Sequence, residues 1–198
     1  MTATLVQPKA LTFSEFLEFE QKSEVKHEFY KGKLKEMAGG TQRHSELASR
    51  VNAFLTVCTM RKNREYHVYT SDIAIYMEPI DKSVYADVSV VEGMPWGING
   101  TTLNIINPKL IVEVLSPSTQ AYDKGDKFDN YRLLPSLREY ILVYTDEPKI
   151  DCYYLKDPLK NVWLFHQIVG LEASIKFQSI GCTLQLKNMY ANLSPIGT

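Results

Sequence analysis

The chain has 198 residues, 44% of them hydrophobic and 23% charged, with a net charge of -1. That length and composition suit a folded domain with a sizeable core, and the missing basic excess excludes a protein that wraps nucleic acid over its whole surface, leaving phosphate contact to a local patch. No stretch is apolar for long enough to cross a bilayer as a helix, and the opening MTATLVQPKA lacks the pattern of a secretory signal, so a cytoplasmic protein with no membrane partner is expected.

Thr12-Phe-Ser-Glu15 has the form of a capping box, and Phe13, Phe16, Leu17 and Glu20 follow at helical spacing, predicting a short helix over 12–21. His27 to Met37 reads as a hairpin turning at Lys31-Gly32 and ended by Gly39-Gly40. From Thr41 onward His44, Leu47, Ala48, Val51 and Leu55 share one stripe of an amphipathic helix that reaches about residue 60 and should pack on a sheet. Strands are predicted at 68–77, 84–91 and 108–115, all rich in β-branched and aromatic residues, with a loop at 93–100. Asp123 reads as the cap of a helix running through Lys127 to Leu134 and halted by Pro135, followed by a strand at 139–144. The rest reads as shorter strands near 149–154, 162–168 and 182–186, which extend the sheet or build a dimer surface. One domain over 1–198 is expected, with a core of about 12–150 and a β-rich extension of about 150–195. Cys58, Cys152 and Cys182 are odd in number and widely spaced, so they are expected as reduced thiols.

One residue breaks the hydrophobic pattern. Glu113 lies inside Leu110-Ile-Val-Glu-Val-Leu115, a run that otherwise suits a strand buried on both faces. An unpaired carboxylate there is costly, so a metal ion or a lysine explains it better than chance exposure. Asp87, in Tyr85-Ala-Asp-Val-Ser-Val-Val91, is a second lone acid in such a strand. Two such carboxylates suffice for magnesium, which adds waters and phosphate oxygens to one or two protein ligands. Lys127 shares a helix side with Lys124, Phe128, Tyr131 and Leu134, which points it toward the sheet and within reach of Glu113. A lysine so placed orients water and offsets charge on a phosphate.

The succession His27-Glu-Phe-Tyr-Lys-Gly-Lys-Leu34, His44 opening a helix, Thr70-Ser-Asp-Ile-Ala-Ile75, Tyr85-Ala-Asp-Val-Ser-Val-Val91, Leu110-Ile-Val-Glu-Val-Leu-Ser-Pro-Ser-Thr119, Asp123-Lys-Gly-Asp-Lys127, Tyr131 and Arg138-Glu-Tyr-Ile-Leu-Val143 resembles the Uma-two family of restriction-endonuclease-type proteins, within the PD-(D/E)XK nuclease superfamily. The likeness spans roughly residues 12–150 and is most specific from Glu113 to Tyr144. It implies an α/β fold with a restriction-endonuclease-like core, a mixed central β-sheet flanked by helices, an N-terminal helix and hairpin, and a β-rich C-terminal extension. It also implies hydrolysis of DNA phosphodiesters with Mg2+ or Mn2+, Asp87 being the first acid of the motif and Glu113 the second. Two positions depart from the pattern. Ala86 replaces the usual proline, and Leu115 stands where the motif has lysine, so Lys127 supplies the amine from the following helix.

Because one cleavage centre cuts one strand, a homodimer is expected. Around the trio, Glu28 reads equally as a further acid near the metal or an exposed hairpin residue. His44 reads as a core histidine or one at the mouth of the site, and Asp72 as a turn acid or a residue behind the ligands. Lys31, Lys33, Lys35, Arg43, Arg50 and Arg61 form either a phosphate-facing edge or a scattered solvated face. Ser116-Pro-Ser-Thr119 lacks the glycines of a nucleophile elbow and reads as a turn. The competing reading is a nuclease-fold module that binds DNA or protein without turnover, favoured by Leu115 and the absent basic excess. For Glu113 it corresponds to a structural ion pair with Lys127 or Arg132.

Overall fold

The computed structural model describes residues 10–37, 39–117 and 119–194. Thr12 caps helix α1 (Phe13–Glu20), and the reciprocal box with Glu15 is present. The hairpin follows as β1 (His27–Tyr30) and β2 (Lys33–Glu36). Lys31 and Gly32 take φ of 47° and 80°, the paired positive values that a two-residue type I′ turn needs. Thr41 caps α2 (Gln42–Met60), whose stripe buries Leu47, Val51 and Leu55. The chain continues through β3 (Tyr66–Thr70), β4 (Ala74–Met77), β5 (Lys82–Tyr85), β6 (Val88–Glu92), β7 (Asn104–Ile105) and β8 (Leu110–Leu115). After α3 (Gln120–Lys124) and α4 (Asp126–Tyr131) come β9 (Glu139–Tyr144), β10 (Lys149–Asp157), β11 (Val162–Val169), β12 (Ser174–Phe177), β13 (Cys182–Gln185) and α5 (Leu186–Tyr190). No helix among the described residues is long and apolar enough to cross a membrane.

The described strands form a six-stranded sheet ordered β11-β10-β9-β8-β6-β3, a five-stranded sheet ordered β2-β1-β5-β4-β7, and the β12-β13 hairpin. The six-stranded sheet is mixed, since β8 and β9 run parallel while their outer neighbours are antiparallel. Every residue of β8 and β9 is buried, as expected for central strands covered on both faces. Val112, Val114, Ile141 and Val143 pack with the α2 stripe and with Ile175, Phe177 and Leu186. Ile111, Leu115, Tyr140, Leu142 and Tyr144 face the other way, toward Phe128, Tyr131 and residues of the five-stranded sheet.

Four expectations are corrected. The strands predicted at 68–77 and 84–91 are each divided between the two sheets, at 71–73 and at 86–87. The pairing moves from Thr70↔Val88 to Ala74↔Tyr85 across the bend, so one connection has a residue more than the other, and that mismatch turns the ribbon from one sheet to the next. The helix predicted over 123–134 is two short helices meeting at Gly125 (φ -108°, ψ -102°), and Asp123 is buried inside the first of them instead of capping. Cys58 and Cys182 are joined by a disulfide, leaving Cys152 as the buried free thiol. A separation of 124 residues hid this pair, because only the packing of α2 against β13 brings the two together. Finally, β7, β12 and α5 have no counterpart among the predicted elements.

Candidate active site

The bend between β5 and β6 puts Asp87 at the junction of the two sheets, one residue before Val88 pairs with Val112 of β8. Its Oδ2 accepts the Val114 backbone N–H at 2.7 Å, which ties the aspartate to the strand that carries Glu113. His44 Nε2 lies 3.2 Å from the same oxygen. The hydrogen bond to Asp87 raises the His44 pKa, outweighing the burial that opposes it. The histidine is held by the cap of α2, where its own N–H reaches Thr41 Oγ1, and by close approach of the chain at Gly40. A Cβ at Gly40 would stand 2.9 Å from the His44 ring nitrogen Nδ1.

Glu113 points to the α4 side of β8, where it is 3% exposed and therefore cannot be solvated as a free ion. Lys127 Nζ lies 2.8 Å from its Oε1, and the Tyr131 hydroxyl donates to the same oxygen at 3.0 Å. The ammonium also lies 3.6 Å from Asp123 Oδ1 and donates to the Tyr85 carbonyl at 3.2 Å. Burial pushes Glu113 up to about 8, with Asp87 and Asp123 adding to the shift and Lys127 opposing it. Lys127 is raised above the ordinary lysine range: burial opposes its charge, but Glu113, Asp123 and Asp87 together outweigh it. The pocket therefore holds one firmly cationic amine among three carboxyl groups, an arrangement with acid to spare.

Donor chemistry offers a test of whether a divalent cation suits these residues. Both contacts to Glu113 converge on Oε1 and both contacts to Asp87 on Oδ2. Oε2 and Oδ1 have no hydrogen-bond partner among the described residues. Two carboxylates, each with one oxygen anchored and the other uncommitted, match a hard cation that completes its shell with water and phosphate. Among the described residues no three His, Cys, Asp or Glu side chains gather into a ready-made metal cluster, so a cage of protein ligands alone is not the arrangement here.

The structure pairs His44 with Asp87 and Lys127 with Glu113, and the Val114 N–H ties the first pair to the strand of the second. Glu28 is half-buried on β1 and acts electrostatically on Lys82 and Tyr122, which borders the site. Asp72 is elsewhere engaged: it sits in the β3–β4 turn, 76% exposed, bound to Lys26 at 2.6 Å and to Thr70, and those partners hold its carboxyl below the usual range. Arg43 and Arg50 form neither a phosphate-facing edge nor a free solvated face, since they donate to the carbonyls of Thr145 and Ser194 and of Met189 and Ala191, respectively, and so fasten the C-terminal segment. Arg132 pairs with Asp129 instead of Glu113. Ser116 and Thr119 exchange hydroxyl contacts in a turn, as read, while Ser118 lies outside the described residues. Sequence reasoning missed Asp123 as a partner of the lysine and the Tyr131 hydroxyl as a donor. The i,i+4 spacing of Asp123 and Lys127 was the available signal for the first.

The profile of the Uma2 family, described as "Putative restriction endonuclease", matches residues 13–186. Two uncharacterized proteins of Synechocystis are similar over most of their length. One, sll1609, is 31% identical over 172 residues, covering 85% of this chain and 93% of its own. The other, slr1290, is 33% identical over 186 residues, covering 93% of each. Among solved structures, "a putative nuclease belonging to DUF820" from Anabaena variabilis superposes with a TM-score of 0.71 at 19% identity, covering 91% of this chain and 98% of that one. At that identity the superposition establishes the fold, a mixed sheet flanked by helices. With the family profile running over most of its length, the chain belongs to the Uma2 family.

Proposed function

We propose that the protein is a metal-dependent endonuclease that hydrolyses DNA phosphodiester bonds at Asp87, Glu113 and Lys127. The observation that carries this reading is the pinning of Asp87 onto the Glu113 strand with a buried ammonium 2.8 Å from Glu113. Asp87 and Glu113 would hold magnesium or manganese, which supplies an acidified water and withdraws charge from the phosphate. Lys127, held cationic by three acids, orients that water and balances the charge that develops on the scissile group. His44 keeps Asp87 in its rotamer, and Tyr131 does the same for Glu113.

The test is cleavage of plasmid and single-stranded DNA with magnesium or manganese by the wild type, Asp87→Ala and Glu113→Ala. Cleavage by the wild type alone is expected; equal activity in all three ends the assignment. The second reading, a binding module without turnover, draws on the 2.8 Å contact between Lys127 and Glu113, since an ammonium so close competes with a cation for that carboxylate. DNA binding with no cleavage under either metal would select it.

We also propose a homodimer, supported by β11. This edge strand carries no charged residue and exposes Val162, Leu164, Phe165 and Val169, without the lysines or prolines that usually blunt an edge. Sedimentation of the wild type should give a dimer and that of Leu164→Lys a monomer; a wild-type monomer at every concentration refutes it.

A further inference from the structure

Lys31, Lys33, Lys35 and Lys82 have no ion-pair partner among the described residues, whereas Lys26, Lys109, Lys124 and Lys149 each meet an acid. Three of the unpaired four are linked through two rings. Lys31 Nζ lies 5.3 Å from the centre of the Tyr30 ring, and Lys82 Nζ lies 5.6 Å from Tyr30 and 5.2 Å from Tyr122. Lys35 Nζ closes the row 5.5 Å from Tyr122. The pairing of β1 with β2 and β5 explains the alignment. Tyr30 stands opposite both Lys33 and Lys82, and Glu28 opposite Lys35, while the intervening Phe29 is buried against Phe13 and Phe16. The hairpin thus turns Phe29 inward and carries Tyr30 on the outward face with the lysines.

The row runs up to the site just described. Tyr122 precedes Asp123, which flanks the Lys127 amine, and Lys82 lies on the strand whose last residue, Tyr85, offers its carbonyl to that amine. Cations gathered without ion-pair partners repel one another, and ring faces relieve only part of that cost. Such a row matches a polyanion of regular spacing. Two acids border the row: Glu28 stands across the hairpin from Lys35, and Glu28 and Asp126 both act electrostatically on Lys82.

We propose that Lys31, Lys82 and Lys35 form a track for the phosphate backbone of duplex DNA leading to Asp87 and Glu113, with Tyr30 and Tyr122 as positioning residues that hold the amines in line. The substrate class rests on the nuclease reading; the track itself does not need cleavage to be tested. Contacts of this kind carry no sequence information, so unrelated duplexes should bind alike.

The experiment is fluorescence anisotropy of a short labelled duplex over a range of salt, in EDTA so that no hydrolysis intervenes. Compared with wild type, Lys35→Ala/Lys82→Ala should bind roughly tenfold more weakly at about 0.1 M salt, and its log–log salt slope should fall by about 0.9 per lysine removed. Lys160→Ala, an exposed lysine of the β10–β11 turn, should behave as wild type. Tyr122→Phe should retain binding while Tyr122→Leu loses about threefold, because the ring face and not the hydroxyl seats the amines. Circular dichroism verifies that each variant is folded. An unchanged salt slope in the double variant, or no duplex binding by the wild type, overturns the track. A protein that binds through these lysines yet never cuts with magnesium or manganese overturns only the nuclease reading.

Discussion

The two faces of strand β8 solve opposite problems with the same alternation of side chains. Leu110, Val112 and Val114 project into an apolar cluster with the α2 stripe and the C-terminal segment, where shape and area alone stabilise the fold. Ile111 and Leu115 project the other way and flank Glu113, the acid in a position that ordinary packing would fill with a methyl-bearing side chain. That face tolerates a carboxylate because α3 and α4 deliver a lysine, a tyrosine hydroxyl and a second acid around it. One face of the strand is thus optimised for stability and the other carries a charge arrangement that stability alone would not select.

Substitutions can separate the two. Asp87→Ala and Glu113→Ala should each lower metal-dependent DNA cleavage by roughly a thousandfold, equivalent to about 4 kcal/mol of barrier, with circular dichroism unchanged for Asp87→Ala, which is partly exposed. Leu110→Ala, on the apolar face, should do the reverse: about 2–5 kcal/mol lost in urea unfolding, with cleavage per folded molecule as in wild type. If Leu110→Ala instead changed the metal requirement, the two faces would not be independent. The C-terminal segment contributes to the apolar side through the Cys58–Cys182 bond. Cys58→Ser should cost about 2–4 kcal/mol without altering cleavage. A thiol titration of the denatured protein should find Cys152 alone before reduction and all three cysteines afterwards.

How far the sequence reveals this arrangement depends on the range of the interaction concerned. The capping box at Thr12, the hairpin turn at Lys31-Gly32 and the α2 stripe are set by neighbours within a few residues, and all three stand where the pattern puts them. Glu113 is legible because a charge inside an apolar run is costly wherever that run packs, whereas Asp87, expected within a strand, lies in the bend between β5 and β6 and is partly exposed. What remained hidden was decided at a distance. The division of 84–91 between two sheets leaves hydrophobicity unchanged on both sides of Asp87, so no period marks it. The break at Gly125 left the stripe through Phe128 and Tyr131 intact while converting Asp123 from a supposed cap into a partner of Lys127. For Arg43 and Arg50, open in sequence between a phosphate-facing edge and a solvated face, the deciding partners are C-terminal backbone carbonyls 151 and 139 residues away.

The gentlest way to sharpen the contrast is pH, because only the polar face titrates. Burial raises Glu113 in the folded protein from its ordinary 4.5 to about 8. Below about 4.5 the carboxyl is protonated in both folded and unfolded chains and costs nothing. Between 4.5 and 8 the unfolded chain has released the proton while the folded one retains it, so stability falls as pH rises, by at most about 1.4 kcal/mol per pH unit from this residue. Above 8 both states are ionised and the loss is complete. In metal-free protein, urea midpoints for the wild type should therefore decline across that window more steeply than those for Glu113→Gln, which has no proton to release. Added magnesium should flatten the wild-type curve, since a cation stabilises the ionised carboxylate, and should leave the glutamine variant unmoved. Identical slopes for the two proteins would mean that Lys127 neutralises Glu113 completely, and the pair would then be a closed ion pair with no acid left over for a metal.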